Sequence, residues 1–143
     1  MAVSHHSQLV CYQRASEFRR AVYEESSKPC WGKDRSLRDD IRRSARSVPS
    51  NIAEGYWRYH HRDFVRFIDI ALGSLGETED HLTSARLDSI INDEVQATLV
   101  DKIVETRIPT LRLRNYLIRS SAPSEPTNKQ RIRRTDNQAR EQP

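Results

Sequence analysis

Arginine recurs between residues 35 and 62 at spacings that would place several of its side chains on one face of a helix. The residues are Arg35, Arg38, Arg42, Arg43, Arg46, Arg58 and Arg62. The planar guanidinium group binds phosphate oxygens through paired hydrogen bonds and stacks on nucleobases. In a helix, Arg35, Arg38, Arg42 and Arg46 lie within about 80° of one another. This stripe predicts a basic surface that binds RNA or DNA through its phosphates.

Aromatic residues lie among these arginines. Tyr56, Trp57 and Tyr59 have ring faces on which unpaired bases can stack. A second interpretation stays open, in which the arginines contact acidic residues of a neighbouring subunit and the aromatic rings close one end of the fold. The acidic residues in question are Asp69, Glu77 and Asp80. Under that interpretation the protein is a structural or adaptor protein whose charged faces contact other subunits or a protein partner.

The sequence indicates no catalytic residue, no metal site and no cofactor. Di-iron and di-manganese sites in helix bundles need Glu-x-x-His pairs, whereas Thr78 precedes His81 at that spacing. Glu77 and His81, four residues apart, are more typical of a solvated helix pair. Cys11 and Cys30 lack CxxC spacing and are expected to be reduced thiols. We therefore expect a binding protein rather than an enzyme.

Charge is divided unevenly along the 143-residue chain, whose formal net charge is +4. Residues 33–66 carry nine basic and five acidic side chains, and residues 67–105 carry two basic and nine acidic ones. Adjacent basic and acidic segments suit either a polyanion or complementary subunit faces. No apolar run approaches the roughly 20 residues of a membrane span, and no signal peptide is evident. We expect a cytoplasmic protein with no membrane partner.

Apolar periodicity predicts four helices. The first, near residues 7–26, places Cys11, Ala15, Phe18 and Val22 on one side, and the third covers about residues 62–86. The second is expected to begin at a capping box formed by Ser36 and Asp39, and the fourth at Asn92 or Asp93. Pro49 and Pro109 are expected to kink or interrupt the second and fourth helices, with Asn51 and Glu54 recapping the second after Pro49.

These elements predict an all-α fold, an antiparallel up-down-up-down four-helix bundle over residues 1–119. Residues 120–143 offer little to a core and are predicted to form a disordered, mildly basic tail. Gly73 and Gly76 lower helix propensity in the third helix. Either this weakness is tolerated, or the backbone of a loop or neighbouring subunit approaches the outer face at Gly73.

Two stretches of the sequence resemble a known family. They are IRRSARSVPSNIAEGYWR, residues 41–58, and RDFVRFIDIALGSLGETEDHL, residues 62–82. Both are similar to the pattern of the four-helix-bundle proteins first found in open reading frames within intervening sequences of bacterial 23S rRNA genes. The similarity extends more loosely over about residues 9–117. Three residues depart from the family pattern: Asp63, Thr78 and Pro109. In the family, Glu is usual at the position of Asp63, and a Glu-Leu-Glu run covers the position of Thr78.

The resemblance implies a four-helix bundle. It also extends to the accessory variability protein of diversity-generating retroelements, a pentameric barrel that binds nucleic acid and a reverse transcriptase. It therefore implies a homo-oligomer, expected to be a pentamer, with RNA, DNA or a protein as partner. The matching positions are Arg42 with Arg43, the turn from Asn51 to Gly55, and the step from Gly73 to Leu75. These motifs carry fold and assembly rather than a particular activity.

Overall fold

The computed structural model describes residues 2–58 and 60–121, which form four long helices. These are α1 (Val10–Ser26), α2 (Arg35–Tyr56), α3 (His61–Leu87) and α4 (Asp93–Ser121). Short 3₁₀ turns at His6–Gln8 and Pro29–Lys33 precede α1 and α2, and the described residues contain no strand. The all-α prediction is confirmed. Helix α4 continues through residue 121, and the rest of the predicted tail, residues 122–143, lies outside the described residues.

Contacts between consecutive helices join the end of one to the start of the next, as in an antiparallel bundle. Near the α2–α3 connection Gly55 approaches Phe64, while Ser44 meets Thr78 further along. The α3–α4 contacts run in the same sense, from His61 with Ser120 through Asp69 with Arg114 to Glu79 with Arg107. Helix α1 packs against both α2 and α4. Each helix therefore has two neighbours, and the core lies between all four.

The core consists of the apolar stripes that the sequence predicts. Cys11, Ala15, Phe18 and Val22 are all buried on α1, and the stripes of α2 and α3 are buried as well. The remaining core residues include Trp31, Leu37, Ile41, Ala45, Val48, Ile52, Phe64, Ile68, Ala71, Leu75, Leu82, Leu99, Ile103 and Leu117. Trp31, from the turn before α2, is only 1% exposed. That turn therefore closes the core at one end of the bundle.

The start of α2 differs from the predicted capping box. The Asp34 side chain accepts a hydrogen bond from the Leu37 backbone N–H at 2.9 Å, and the helix begins at Arg35. The Ser36–Asp39 prediction is wrong because Asp34, in extended backbone geometry, already fills the cap position. At α4 the prediction is confirmed, since the Asn92 side chain accepts from the Val95 N–H at 2.9 Å.

Both internal prolines lie within continuous helices. Pro49 is buried inside α2 and Pro109 is half-buried inside α4, so neither helix is interrupted at its proline. The predicted kinks stay predictions. Asn51 does not recap the helix. Its amide donates to the Ser47 carbonyl and hydroxyl oxygens at 2.8 and 2.9 Å, one turn earlier in the same helix. The proline motif is therefore part of a helix that tertiary packing keeps intact.

The α2–α3 contact is close where Gly55 faces the start of α3. A Cβ atom at Gly55 would lie 2.6 Å from Phe64 Cδ2 and 2.8 Å from Phe67 Cβ, so the absence of a side chain sets this approach. Further along, the buried Thr78 hydroxyl lies 2.9 Å from Ser44 Oγ. Thr78, which departs from the family pattern, thus belongs to a buried polar contact between the two helices. A Cβ atom at Gly73 would meet no described atom within 4 Å apart from the adjacent backbone of its own helix.

Candidate functional site

A groove of about 530 Å³ runs along the outer surface between α1 and α2. Residues from one face of α1 form one wall of the groove, and residues of α2 form the opposite wall. The lining residues are Tyr12, Ser16, Arg19, Arg20, Tyr23, Glu24, Ser27, Arg46, Pro49, Ser50 and Ala53. Three arginines against one glutamate make this groove basic, and two tyrosine rings give it aromatic faces. Cations and rings of this kind can hold a phosphate backbone and its bases.

Arg42 does not line the groove itself but contacts two of its lining residues, Tyr23 and Ser27, near the end of α1. Its Nε donates to Ser26 Oγ at 2.7 Å and its Nη2 donates to Ser27 Oγ at 3.1 Å. Its guanidinium carbon also lies 5.0 Å from the centroid of the Tyr23 ring, and that of Arg19 lies 4.5 Å from the same centroid. Two cations therefore contact one ring, which fixes the direction of both guanidinium groups.

The other predicted arginines divide into paired and unpaired groups. Arg38 lies 3.4 Å from Asp39, Arg43 contacts Asp40 and Glu77 at 3.2 Å each, and Arg58 pairs with Glu54. Within the described part of the chain, no carboxylate lies within 4.0 Å of the guanidinium groups of Arg35, Arg46 and Arg62. Of these three, only Arg46 lines the groove. The seven predicted residues therefore do not form one continuous surface.

A second depression, lined by Ser50, Ala53, Glu54, Trp57 and Arg58, continues the groove toward the end of α2. Ser50 and Ala53 line both, so the two are continuous. Residue Trp57 is 63% exposed. The groove therefore leads from the end of α1 to the solvent-exposed Trp57. The predicted aromatic residue Tyr59 lies outside the described residues.

The segment before α1 packs on the aromatic end of the groove. The Trp57 Nε1–H donates to His6 Nδ1 at 3.0 Å, and the Tyr56 hydroxyl donates to the Val3 carbonyl at 3.0 Å. The His6 ring also meets the Tyr12 ring edge-on at 4.7 Å between centroids. Burial, with a smaller effect from the neighbouring His5, lowers the pKa of His6. The lowered pKa favours the neutral ring that accepts the Trp57 hydrogen bond.

Sequence reasoning missed the contribution of α1 to this site. Arg19 and Arg20 line the groove with Tyr12 and Tyr23, although none of the predicted nucleic-acid-binding residues lies on α1. A usable signal was present, because residues 12, 16, 19, 20, 23 and 27 recur at intervals that share one helical face. The position of that face against Arg46 depends on the packing of two helices, which periodicity does not specify.

Two of the acidic residues that the adaptor interpretation assigns to a neighbouring subunit have partners in their own chain. Asp69 pairs with Arg114 at 2.5 Å and Glu77 with Arg43 at 3.2 Å. Asp80 is exposed.

Among the described residues, no group of three or more metal-ligand side chains forms a cluster. The predicted Glu77–His81 pair is present, with His81 Nε2 lying 3.5 Å from Glu77 Oε1. None of the helices in residues 2–58 and 60–121 is long and apolar enough to cross a membrane.

The comparisons with known proteins agree with this architecture. Residues 7–108 match the family model of the 23S rRNA-intervening sequence protein. Among solved structures, the chain is similar to a protein of unknown function from the S23 ribosomal protein family of Bacteroides thetaiotaomicron. The two share 20% sequence identity and a TM-score of 0.60, over 80% of this chain and 100% of the other. No curated protein matches the chain. Because the family model covers more than half of the sequence, the chain belongs to the 23S rRNA-intervening sequence protein family.

Proposed function

We propose that this chain is a non-enzymatic, cytoplasmic homo-oligomer that binds single-stranded RNA or DNA in the groove between α1 and α2. The observation that carries the proposal is the juxtaposition of Arg19, Arg20 and Arg46 with the rings of Tyr12 and Tyr23. These groups bind and stack rather than react, which favours a binding role over a catalytic one. Both cysteines are free thiols, in keeping with a reducing compartment.

Phosphate binding is assigned to Arg20 and Arg46. Both are exposed groove residues whose guanidinium groups have no carboxylate within 4.0 Å in the described part of the chain. An arginine already paired with a carboxylate must give up that partner before it binds phosphate, whereas these two need not. Arg43 and Arg58 are therefore weaker candidates than the sequence pattern suggests.

Base stacking is assigned to Tyr12 and to Trp57. Tyr12 is half-buried, so its ring is held in place, whereas the guanidinium groups of Arg19 and Arg42 already lie over the Tyr23 ring. Stacking of one base on an aromatic side chain contributes about 1–3 kcal/mol. A strand that follows the groove would reach the exposed Trp57 at its end. Paired bases cannot stack in this way, which is why we propose a single strand as the ligand.

The test compares two double variants with equal change of charge. Arg20→Gln with Arg46→Gln removes two groove cations, and Arg66→Gln with Arg119→Gln removes two exposed cations outside the groove. Binding of a single-stranded oligonucleotide is measured over a salt series. Because each phosphate contact adds about 0.7 to the slope of log K against log salt, the groove variant should lose roughly 1.4 from that slope. The control variant should keep most of the wild-type slope.

Equal losses in both variants would indicate a diffuse charge effect and would refute the assignment to the groove.

A second measurement uses fluorescence, because Trp31 is buried and Trp57 is 63% exposed. Binding should quench Trp57 emission in the wild type, and Trp57→Phe should remove the quenching. The five-subunit assembly that the family resemblance implies stays a prediction, and light scattering of the free protein tests it.

A further inference from the structure

The first residues of the chain lie at one end of the groove between α1 and α2. We call residues 2–8, which precede α1, the strap. The Tyr56 hydroxyl donates to the Val3 carbonyl oxygen at 3.0 Å, and the Trp57 Nε1–H donates to His6 Nδ1 at 3.0 Å. Two hydrogen bonds therefore hold the strap at the end of α2.

The His6 ring of the strap contacts both walls of the groove. Its centroid lies 4.7 Å from that of Tyr12 on α1 and 6.2 Å from that of Trp57 at the end of α2. The centroid of the His5 ring lies 5.7 Å from that of Trp57. Tyr12 lines the groove, and Trp57 lines the depression that continues it. A strand that extends from Tyr12 to Trp57 would therefore meet the histidine rings on its path.

The strap is held weakly in comparison with the helices. None of residues 2–8 is buried, and Val3 is 43% exposed. Besides the two hydrogen bonds to the end of α2, the Gln13 side chain donates to the Ser7 carbonyl oxygen at 3.0 Å. A neutral hydrogen bond of this kind adds little net stability, because water replaces the lost partner when the contact opens. Segments with little apolar burial detach without unfolding of the remaining structure.

We infer that the strap blocks the path between Tyr12 and Trp57 until it detaches, and that it thereby regulates the binding of a strand in the groove. This inference rests on the proposed function, because it concerns access to the same site. With the strap in place, a strand reaches Arg20 and Arg46 but does not continue between the two rings. The strand and the strap compete, so the apparent affinity is reduced by the fraction of molecules in which the strap is in place.

The composition of the strap favours competition over assistance. Its sequence, AVSHHSQ, contains no lysine or arginine, so it offers no permanent cation to a phosphate. His5 Nδ1 lies 2.8 Å from Ser7 Oγ, and Gln8 Oε1 accepts hydrogen bonds from the backbone N–H and the hydroxyl of Ser4. These polar atoms already have partners within the strap, so a strand gains little by contacting them.

The test releases the strap and leaves the groove unchanged. His6→Ala with Tyr56→Phe removes both hydrogen bonds to the strap and keeps Tyr12, Trp57 and every arginine. Tyr116→Phe is the matched control, because Tyr116 is 58% exposed and lies on α4. All three proteins should have the same circular dichroism.

Nuclear magnetic resonance relaxation of the full chain without ligand measures whether the strap is released. The backbone amides of residues 2–8 should be ordered in the wild type and in the control. In the double variant their order parameters should fall below about 0.6, the range of flexible backbone.

Binding of a single-stranded octanucleotide then measures the effect on the site. Residues 46 and 57 lie about 16 Å apart along α2, and eight stacked nucleotides span about 24 Å, so this ligand is long enough. The double variant should bind about tenfold more tightly than the wild type, because two neutral hydrogen bonds no longer hold the blocked form. The slope of log K against log salt should stay the same, since no phosphate contact is added or removed. In the wild type, saturation with the octanucleotide should make the amides of residues 2–8 flexible.

Three results would overturn the inference. They are a strap that stays ordered in the double variant, an affinity that is unchanged or lower when the strap is flexible, and a strap that stays ordered in the wild-type complex. A lower affinity would show that the strap assists binding. The proposed function fails by a different comparison, in which Arg20→Gln with Arg46→Gln loses no more of the salt slope than its control. The two failures are therefore observed in different variants.

Discussion

Replacing Gly55 by alanine should destabilise the protein even though alanine is the better helix former. The added Cβ would lie 2.6 Å from Phe64 Cδ2 and 2.8 Å from Phe67 Cβ, whereas carbon atoms in contact normally lie about 3.5–4.0 Å apart. Phe67 Cβ is attached directly to the α3 backbone, so side-chain rotation cannot move it away. Relief therefore requires α2 and α3 to separate by about half an ångström or more.

The magnitude follows from two opposing contributions. Overpacking a well-packed contact costs about 1–3 kcal/mol, and exchanging glycine for alanine in a helix returns about 0.5–1 kcal/mol. We expect a net loss of about 1–2 kcal/mol in the free energy of unfolding. For a domain of this size that corresponds to a fall in Tm of about 4–8 °C.

Urea denaturation followed by circular dichroism measures this change, with Gly73→Ala as the matched control. A Cβ at Gly73 meets no described atom within 4 Å apart from the adjacent backbone of its own helix, so only the helix-propensity gain applies and the variant should be more stable than the wild type. Wild-type stability in Gly55→Ala would refute the packing argument. Gly73→Ala could instead lower the free energy of unfolding of the associated protein while leaving that of the dissociated protein unchanged. That result would show that a neighbouring subunit approaches this position.

Two further predictions concern titrating side chains. Burial raises the pKa of Cys11 to about 11, so a thiol reagent at about pH 8 should modify Cys30 in the native protein and both cysteines after unfolding. Because the unfolded thiol ionises near pH 8.5, the contribution of Cys11 to the free energy of unfolding should be complete below that pH and decline toward pH 11. Cys11→Ser should remove this decline. A Cys11→Ser variant whose stability changes with pH as the wild type does would contradict the assignment. At the other end of the groove, His6 accepts a hydrogen bond from Trp57 only when its ring is neutral. The pKa of His6 lies below the ordinary value of roughly 6.5, so the packing of the first residues on Trp57 should persist above pH 6.5 and weaken as the pH falls through the His6 pKa. Trp57 fluorescence should report this transition in the wild type and in the control variant His5→Gln. The transition should be absent in His6→Gln.

The sequence was sufficient to predict the helices and most of the core because these follow from periodicity alone. Cys11, Ala15, Phe18 and Val22 recur on one face of a helix, and burial of that face requires only that other apolar stripes be present. The order of four amphipathic helices with short connections then favours an antiparallel bundle. The order of contacts along α2 and α3 and along α3 and α4 agrees with that prediction.

The prolines show where local rules fail. A proline in a helix interior costs about 3 kcal/mol, which predicts a kink or a break at Pro49. The neighbouring Val48 and Ile52 are fully buried, and each such side chain contributes about 1.5–3 kcal/mol by leaving water. A break at Pro49 would turn one of them out of the core. The free energy gained by burial on both sides of the proline therefore outweighs the loss of one hydrogen bond. The packed structure is needed to see this, because it shows which side chains are buried.

The arginines show a different limit. Periodicity correctly places Arg38, Arg42 and Arg46 along one side of α2, but it does not specify which groups neighbouring helices bring alongside. The end of α1 places two serine hydroxyls against Arg42, and α3 places Glu77 against Arg43. Arg46 faces a groove wall whose arginines and tyrosines belong to α1. The availability of each cation to a ligand is thus a property of helix register. For this reason Arg20 and Arg46, rather than the full stripe, are the residues whose removal should change the salt dependence of binding.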